Sequence, residues 1–300
     1  MIDISIIIVN YNVRDYLISC ITSIFKEHSN SLSIEIIVID NNSNDKSVES
    51  VKKKFPEIKL IVNNKNEGFT KAVNLGAKSS KGKYLFILNP DTYFIDDSLS
   101  ILFKLIEKNR NISLLGPAMI SPSGKNQQSF WRKPTLISSL LSLIYLDKMN
   151  RKKNYTNESI NEIKKVETIS GGAFFVRSSI FNLIDGFDQN FFWMEDIDFC
   201  IRISNLGYEV YYTPKARIVH HQGKSSEKNW TLTIYNQLMS KIKYFKKHHS
   251  QLEALILKIC ILNVSFLKAL ILFILIPVKR VYLKKLKGHL KIIISILFNN

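Results

Sequence analysis

The chain has 300 residues, 46% of them hydrophobic and 22% charged, which excludes a disordered tail, a collagen-like rod and a short disulfide scaffold and leaves room for one large or two small domains. Its 42 Lys and Arg against 25 Asp and Glu give a formal net charge of +17. That excess is uneven: residues 231–300 hold 12 of the basic residues and a single acid, Glu253, so a modestly basic body is joined to a strongly basic, apolar tail.

The N-terminal MIDISIIIVNYN has no basic n-region and reads as a first strand rather than a signal peptide. Its apolar run 4–9 is buried-strand-like, and Tyr16, Leu17, Cys20, Ile21 and Ile24 follow at helical spacing. A strand at 35–40, a helix carrying Val48, Val51 and Phe55, and a strand at 59–63 come next. Phe69, Ala72, Val73, Gly76 and Ala77 form the clearest helical stripe, followed by a strand at 84–88, a helix through Leu99, Leu102, Phe103 and Ile106, and a strand at 113–117. Strands alternating with helices, with the strands apolar throughout, predict an α/β fold with a mostly parallel sheet covered on both faces. Residues 124–165 are irregular and polar, an expected insertion. An apolar block at 169–176, a helix at 196–205, strands at 209–212 and 216–219 and a basic helix at 232–249 close the body. Cys20, Cys200 and Cys260 are few and far apart, with no CxxC or Cys/His metal spacing, which points to a reducing compartment.

In such sheets ligands sit at the carboxyl ends of the strands. Polar clusters fall at those ends: Asn10 to Asn12 after the first, Asp40 to Asp45 with Asn42 among them after the second, Asn64 to Gly68 after the third, and Asn89-Pro90-Asp91 after the fourth. A loop that only reverses the chain needs Gly, Pro or Asn, not a carboxylate at successive strand ends. No GxGxxG follows the first strand and no GxxxxGK[ST] is present, so the usual dinucleotide and P-loop sites are disfavoured. Gly171-Gly172, taken alone, reads as a strand bend.

Taken in order, SIIIVNYN (5–12), EIIVIDNNSND (35–45), NNKNEGFTKAVNLGAK (63–78), YLFILNPDT (84–92), the stretch 171–210 that contains WMEDIDF (193–199), and His220 resemble the family 2 glycosyltransferases over about residues 4–226. The NPDT sequence and the basic C-terminal helix look most like rhamnosyltransferase-type members. The resemblance implies a GT-A fold over residues 1–230, with a nucleotide-binding half (1–117) and an acceptor half (118–230), and a basic helical tail over 231–300. It implies an enzyme that transfers a sugar, with inversion, from a nucleotide diphosphate donor to a glycan or lipid-linked acceptor. The donor favoured is dTDP-rhamnose, giving L-rhamnose, in cell-surface polysaccharide synthesis. The alternative is a membrane-docked nucleotide-sugar-binding protein that has lost catalysis, because Asn89 stands where the family's DxD motif has its first carboxylate.

By the same resemblance Asp40 holds the base, and Asn66, Gly68 and Asn74 frame the nucleoside, with Asn10, Asn12, Asn42 and Asn89 completing the donor side. Asp91 and His220 bind a divalent cation, Mg2+ or Mn2+, with His221 leaving the register open. Asp196 is the base and Glu195 binds the acceptor, against the reading of both as acids at a helix start. Trp131 and Arg132 in the loop 128–132, together with Trp193, lie on the acceptor side, unless Trp131 is an ordinary packed side chain.

The tail's apolar run 255–276 would make a helix of ~33 Å, about one hydrocarbon core. Gln251, Lys258, Ser265 and Lys268 share one arc of roughly 100°, with only Asn263 off it. This predicts an amphipathic helix in the interface plane, its basic residues toward the headgroups, backed by the basic run 279–291 for an anionic membrane surface. A helix packed on its own domain or in a homodimer, and a single span, stay open. The apolar companions argue against nucleic acid. The expected place is the cytoplasmic side of a bacterial inner membrane, held peripherally.

Overall fold

The structure, a computed structural model, describes residues 2–27, 31–144, 162–221 and 230–298. In chain order its elements are β1 (Ile4–Asn10), α1 (Arg14–Glu27), β2 (Ile34–Asp40), α2 (Ser47–Lys54), β3 (Lys59–Val62), α3 (Phe69–Lys78), β4 (Tyr84–Leu88), β5 (Thr92–Phe94), α4 (Ser98–Lys108), β6 (Ile112–Ile120), β7 (Asn126–Gln127), β8 (Phe130–Trp131), α5 (Leu136–Leu143), β9 (Lys164–Lys165), β10 (Thr168–Ile169), β11 (Ala173–Arg177), α6 (Ser178–Leu183), α7 (Glu195–Asn205), β12 (Glu209–His220), α8 (Trp230–His248), α9 (Gln251–Leu275) and α10 (Val281–Phe298). They fall into two compact units. One takes in the described parts of Met1–Lys133, Tyr155–Asn190 and Glu195–Lys224; the other takes in those of Pro134–Asn154, Phe191–Met194 and Ser225–Asn300.

The first unit is built on a sheet of strand order β3-β2-β1-β4-β11-β6-β12-β5. It is parallel from β3 to β4 and again between β6 and β12. Strand β11 runs antiparallel between β4 and β6, and β5 antiparallel on the edge of β12. Successive residues of a strand point to opposite faces, and here both faces are filled. Ile4, Ile6 and Ile8 pack with Leu17, Cys20 and Ile21 of α1, while Ile7 and Val9 pack with Ala72 and Val73 of α3. That is why the strand is apolar throughout instead of alternating. Each such Ile or Leu contributes about 1.5–3 kcal/mol by leaving water.

From β1 the chain passes through α1 to β2 on one side, and returns through α3 to β4 on the other. The crevice between the carboxyl ends of β1 and β4 is therefore the switch point at which such sheets bind ligands.

Two expected strands differ. The block 169–176 is broken at Gly171-Gly172 into β10 and β11, and β10 leaves the main sheet to pair with β8. The strands expected at 209–212 and 216–219 are one, β12, with a register shift between Thr213 and Arg217 that contains Pro214. A proline has no N–H for the ladder, so the strand slips there without ending.

The second unit consists of α5, α8, α9 and α10, with α9 packed against the other three. Ser250 and Glu253 form a capping box that starts α9. Its polar arc faces outward at Gln251, as expected from the sequence, but turns inward in the second half of the helix. Ser265 is buried, and the Lys268 amine donates to the carbonyl of Leu143 at 2.8 Å. Leu143 is the last residue of α5, and its carbonyl is one of those a helix leaves open at its C-terminus. The lysine turns inward because that acceptor is there. Apart from Gln251 and Asn263 the residues turned outward are apolar, with Leu270, Phe273 and Ile274 each more than half exposed.

Candidate active site

A polar knot closes the ends of β1 and β2. Asn10 and Asp40 are partners in the last rung of the ladder, and both are buried. Asn10 Nδ2 donates to Asp40 Oδ2 at 2.7 Å and to Ser43 Oγ at 3.0 Å, and Asp40 Oδ1 accepts the Ser43 N–H at 2.8 Å. The Asn12 N–H also reaches Ser43 Oγ at 3.0 Å, and Asn12 Oδ1 accepts the Asn44 N–H at 2.7 Å. Asn12 and Asn42 are left-handed, at φ 57° and 65°, a conformation asparagine tolerates better than most residues. Asn10 Oδ1 is buried and makes no hydrogen bond. An orphaned acceptor costs about 1–3 kcal/mol, so at the mouth of a crevice it favours a donor from outside the chain.

Asn41 ties this knot to the next strand end, donating to the Gly68 carbonyl at 3.2 Å and accepting from Asn63 Nδ2 at 2.8 Å. Asn66 Oδ1 accepts the Gly68 N–H at 2.9 Å. Gly68 itself, at φ 85° and ψ 168°, starts α3 in a region open chiefly to glycine. Asn74 departs from its expected role. Its Nδ2 donates to the Phe187 carbonyl at 2.8 Å and its Oδ1 accepts the Phe187 N–H at 3.0 Å. Because it lies on the buried face of α3, its amide holds the loop after α6 and offers nothing to a nucleoside. Arg202 clamps the same loop, donating to the carbonyls of Ile184 at 2.7 Å and Gly186 at 2.6 Å while Asp198 accepts from it at 2.8 Å.

The end of β4 supplies the second cluster. The Asn89 N–H donates to the Gly172 carbonyl at 3.0 Å, and the Asn89 carbonyl accepts from Thr92 Oγ1 at 2.7 Å. This turn leads into β5, where Thr92 is the register partner of His220 on β12. Asp91 Oδ1 and His220 Nε2 are 3.3 Å apart, both largely buried. His221 faces elsewhere, its ring centroid 4.9 Å from Tyr16 and 5.6 Å from Tyr93, so of the two histidines it is His220 whose imidazole stands beside Asp91. Among the described residues no three His, Cys, Asp or Glu gather as a metal site; the pair has two members.

Gly171-Gly172 joins this cluster to α7. The Gly171 N–H donates to Asp196 Oδ2 at 2.8 Å, and Asp196 Oδ1 accepts the Ile197 N–H at 2.8 Å. A Cβ on Gly171 would stand 3.3 Å from the Asp196 Cβ. The glycines are therefore more than a strand bend: they bring backbone within bonding distance of a carboxylate. Burial raises the Asp196 carboxyl, opposed by those N–H donors. Burial, then the Asp196 charge, pushes Glu195 up to about 8, and its Oε2 is buried with no hydrogen bond. Burial thus raises both carboxyls, and the two N–H groups that Asp196 accepts oppose the rise there, whereas Glu195 Oε2 has no such donor. Asp198 is tied to Arg202 and is not part of this pair.

Asn10, Asp40, Asn89, Asp91, His220 and Asp196 are all in the first unit, as are Trp131 on β8 and the exposed Arg132; Trp193, 41% exposed, belongs to the second. Sequence reasoning passed over Ser43, Thr92 and the Gly171 N–H. Ser43 and Thr92 stood inside the quoted motifs, but a backbone donor has no sequence signal.

The family model described as "Glycosyl transferase family 2" matches residues 5–184. An N-acetylglucosaminyl-diphospho-decaprenol L-rhamnosyltransferase of Mycobacterium tuberculosis is 25% identical over 209 residues, 64% of this chain and 68% of its own length. Rhamnosyltransferase WbbL of Escherichia coli is 28% identical over 166 residues, 55% of this chain and 62% of its own. A crystal structure of GalNAc-T7 with UDP, GalNAc and Mn2+ aligns with TM-score 0.59 at 20% identity, over 73% of this chain and 43% of that one. The likeness shows a shared GT-A fold, with less than half of that longer chain spanned.

Proposed function

The chain belongs to glycosyl transferase family 2, since the match takes in residues 5–184, and from that premise we propose that it is an inverting enzyme that moves a sugar from a nucleotide diphosphate donor onto a lipid-linked glycan at a membrane. The observation that carries the reading is the Asp196 carboxylate, fixed by the Gly171 N–H in a backbone turn whose next carbonyl, that of Gly172, holds Asn89. The base and the expected diphosphate position are thereby supported by one stretch of backbone.

The donor's base enters the knot of Asn10, Asp40 and Ser43, where the orphaned Asn10 oxygen takes a base N–H. Asp91 and His220 would hold a divalent cation, since a carboxylate oxygen and an imidazole nitrogen 3.3 Å apart suit Mg2+ or Mn2+. Bound there, such an ion stabilises the negative charge that develops on the leaving diphosphate. Asp196 accepts the proton of the acceptor hydroxyl as its oxygen bonds to the anomeric carbon and the bond from that carbon to the diphosphate breaks. Attack comes from the face opposite the leaving group, hence inversion. Glu195, its carboxyl raised by burial, bonds the acceptor beside it. Trp131 and Arg132 belong to the acceptor side.

The named relatives favour a rhamnosyl donor, and the decaprenol-linked acceptor of the mycobacterial one favours a lipid-linked acceptor here. The catalytic portion is assigned to 1–230 and membrane attachment to 231–300. The test is turnover of a nucleotide-sugar panel, dTDP-rhamnose included, by the full chain with and without Mn2+ or Mg2+. Transfer with inversion supports the reading; binding without turnover of any donor, with acceptor supplied, refutes it. Equal turnover in excess chelator refutes the cation.

A further inference from the structure

We infer that the second unit seats in one leaflet of an anionic bilayer through an apolar face that α9 and α10 turn outward, without crossing it. This deepens the membrane attachment proposed above and rests on that reading only for its biological purpose. The observations are its own.

On α9 the outward residues Leu255, Ile259, Phe266, Leu270, Phe273 and Ile274 are 49% to 74% exposed. From 264 to 278 the polar side chains are Ser265 and Lys268, and both are directed into the unit. An apolar strip five turns long with no outward polar residue over its second half exceeds what soluble monomers usually leave in water. On α10 the exposed residues divide. At about 100° per residue Leu283, Leu290, Ile294 and Leu297 occupy one sector, and Lys284, Lys287 and Lys291 the adjoining one. A helix lying in the interface has this pattern, apolar side below the headgroups and amines level with the phosphates.

Charge decides between lipid and a second copy. Residues 279–291 hold six Lys and Arg, and no acid follows Glu253. Two copies joined by this face would bring those cations together, whereas anionic headgroups neutralise them. Packing decides against a span. The 25 residues of α9 are long enough to cross, by length and composition alone. Yet its inner face is held to α5 through Lys268 and covered by α8 and α10. Those neighbours carry Lys243, Lys246, Lys247, Lys284 and Lys287, whose charges are costly in hydrocarbon. Lipid on every side of α9 would require stripping them away.

The experiment uses the full chain with phosphatidylcholine vesicles, with and without phosphatidylglycerol, and no donor or acceptor present. Wild type should bind the anionic vesicles preferentially and release with salt. Leu270→Asp with Phe273→Asp should weaken binding at least about tenfold with only a small fall in melting temperature, since both side chains are more than half exposed; Leu270→Ser with Phe273→Ser should act in the same direction. Lys284→Glu with Lys287→Glu should abolish the anionic preference. Depth is read by brominated lipids: Phe266→Trp and Phe273→Trp should both be quenched from shallow positions. Deepest quenching of Phe266→Trp from the bilayer centre, or resistance of wild type to alkaline extraction, overturns the inference for a span. Unchanged vesicle binding by the Asp variant, with a wild-type dimer becoming monomer, overturns it for a second copy. Because the readout contains no sugar nucleotide, failure here leaves the transfer reading intact, and failure of transfer leaves this one intact.

Discussion

Replacing Asp196 by asparagine separates the chemistry of the carboxylate from its packing. Both carboxylate oxygens accept backbone N–H groups at 2.8 Å, from Gly171 and Ile197. An asparagine has one acceptor oxygen. Its NH2 must face one of those donors, so one charge-assisted bond is lost, about 1.5–3 kcal/mol, partly offset because a negative charge beside Glu195 disappears. The variant should therefore fold and melt somewhat lower. Transfer should fall much further, by about 10²–10⁴, because no group is left to take the acceptor's proton; that is about 3–5 kcal/mol in the barrier. Single-turnover transfer with donor and acceptor saturating measures the chemical step, and calorimetry with donor alone gives Kd, expected within about threefold of wild type because the donor knot is on other strands. Transfer within about tenfold of wild type removes Asp196 from the role of base. Loss of donor binding in step with transfer assigns it to the donor instead.

Glu195→Gln tests the raised neighbour. Folding favours its protonated form, so stability present below pH 4.5 is lost as pH rises through about 8; the neutral variant should melt increasingly above wild type across that window, and parallel melting curves would refute the shift. His289 behaves in the opposite sense. Burial, then the charge of Lys268, pushes it down to about 4, so the stability it permits above pH 6.5 is lost as pH falls through 4. His289→Leu should flatten the acid limb of the second unit's unfolding, followed by circular dichroism; an unchanged limb refutes it. Asn74→Ala should destabilise by about 2–4 kcal/mol, from two lost bonds to the Phe187 backbone; a change below about 0.5 kcal/mol in denaturant unfolding would show that the loop does not depend on the clamp.

The first half of the fold was legible because its signals are local. A continuous apolar run means a strand covered on both faces, and β1, β2 and β4 were readable within a residue at each end. The site was legible where chemistry coincides with strand ends, as at Asn10, Asp40 and Asp91. It was illegible where function passes through backbone or through short pairings. Strand β5 has three residues, too few for any periodicity, yet it is the partner that brings Asp91 to His220. Gly171 donates a peptide N–H, which every residue but proline carries, so only the geometry around Asp196 marks it. Asn74 shows the converse: a polar residue inside a recognised motif can be there for a loop 113 residues away.

The helix α9 shows a different limit. Its polar arc was visible in the sequence, because periodicity fixes which residues share a face. It does not fix which way the face points. For a helix in water the arc would point out, since solvent is the best partner for an amine. Here the apolar residues are the majority, and the nearest satisfied place for Lys268 is the open carbonyl of Leu143, which arrives from α5 more than 100 residues earlier. That acceptor is a long-range fact, and it inverts the helix. The same contact bears on where the chain can be shortened. A cut after His249 would leave α5 and α8 without the helices that pack on them, and would free the carbonyl end of α5 that Lys268 holds. The membrane-facing helices are therefore not an appendage to a finished body. They supply the inner face on which the second unit closes, and the outer face of α9 beyond Asn263 is apolar because its polar side chains there, Ser265 and Lys268, are used inside.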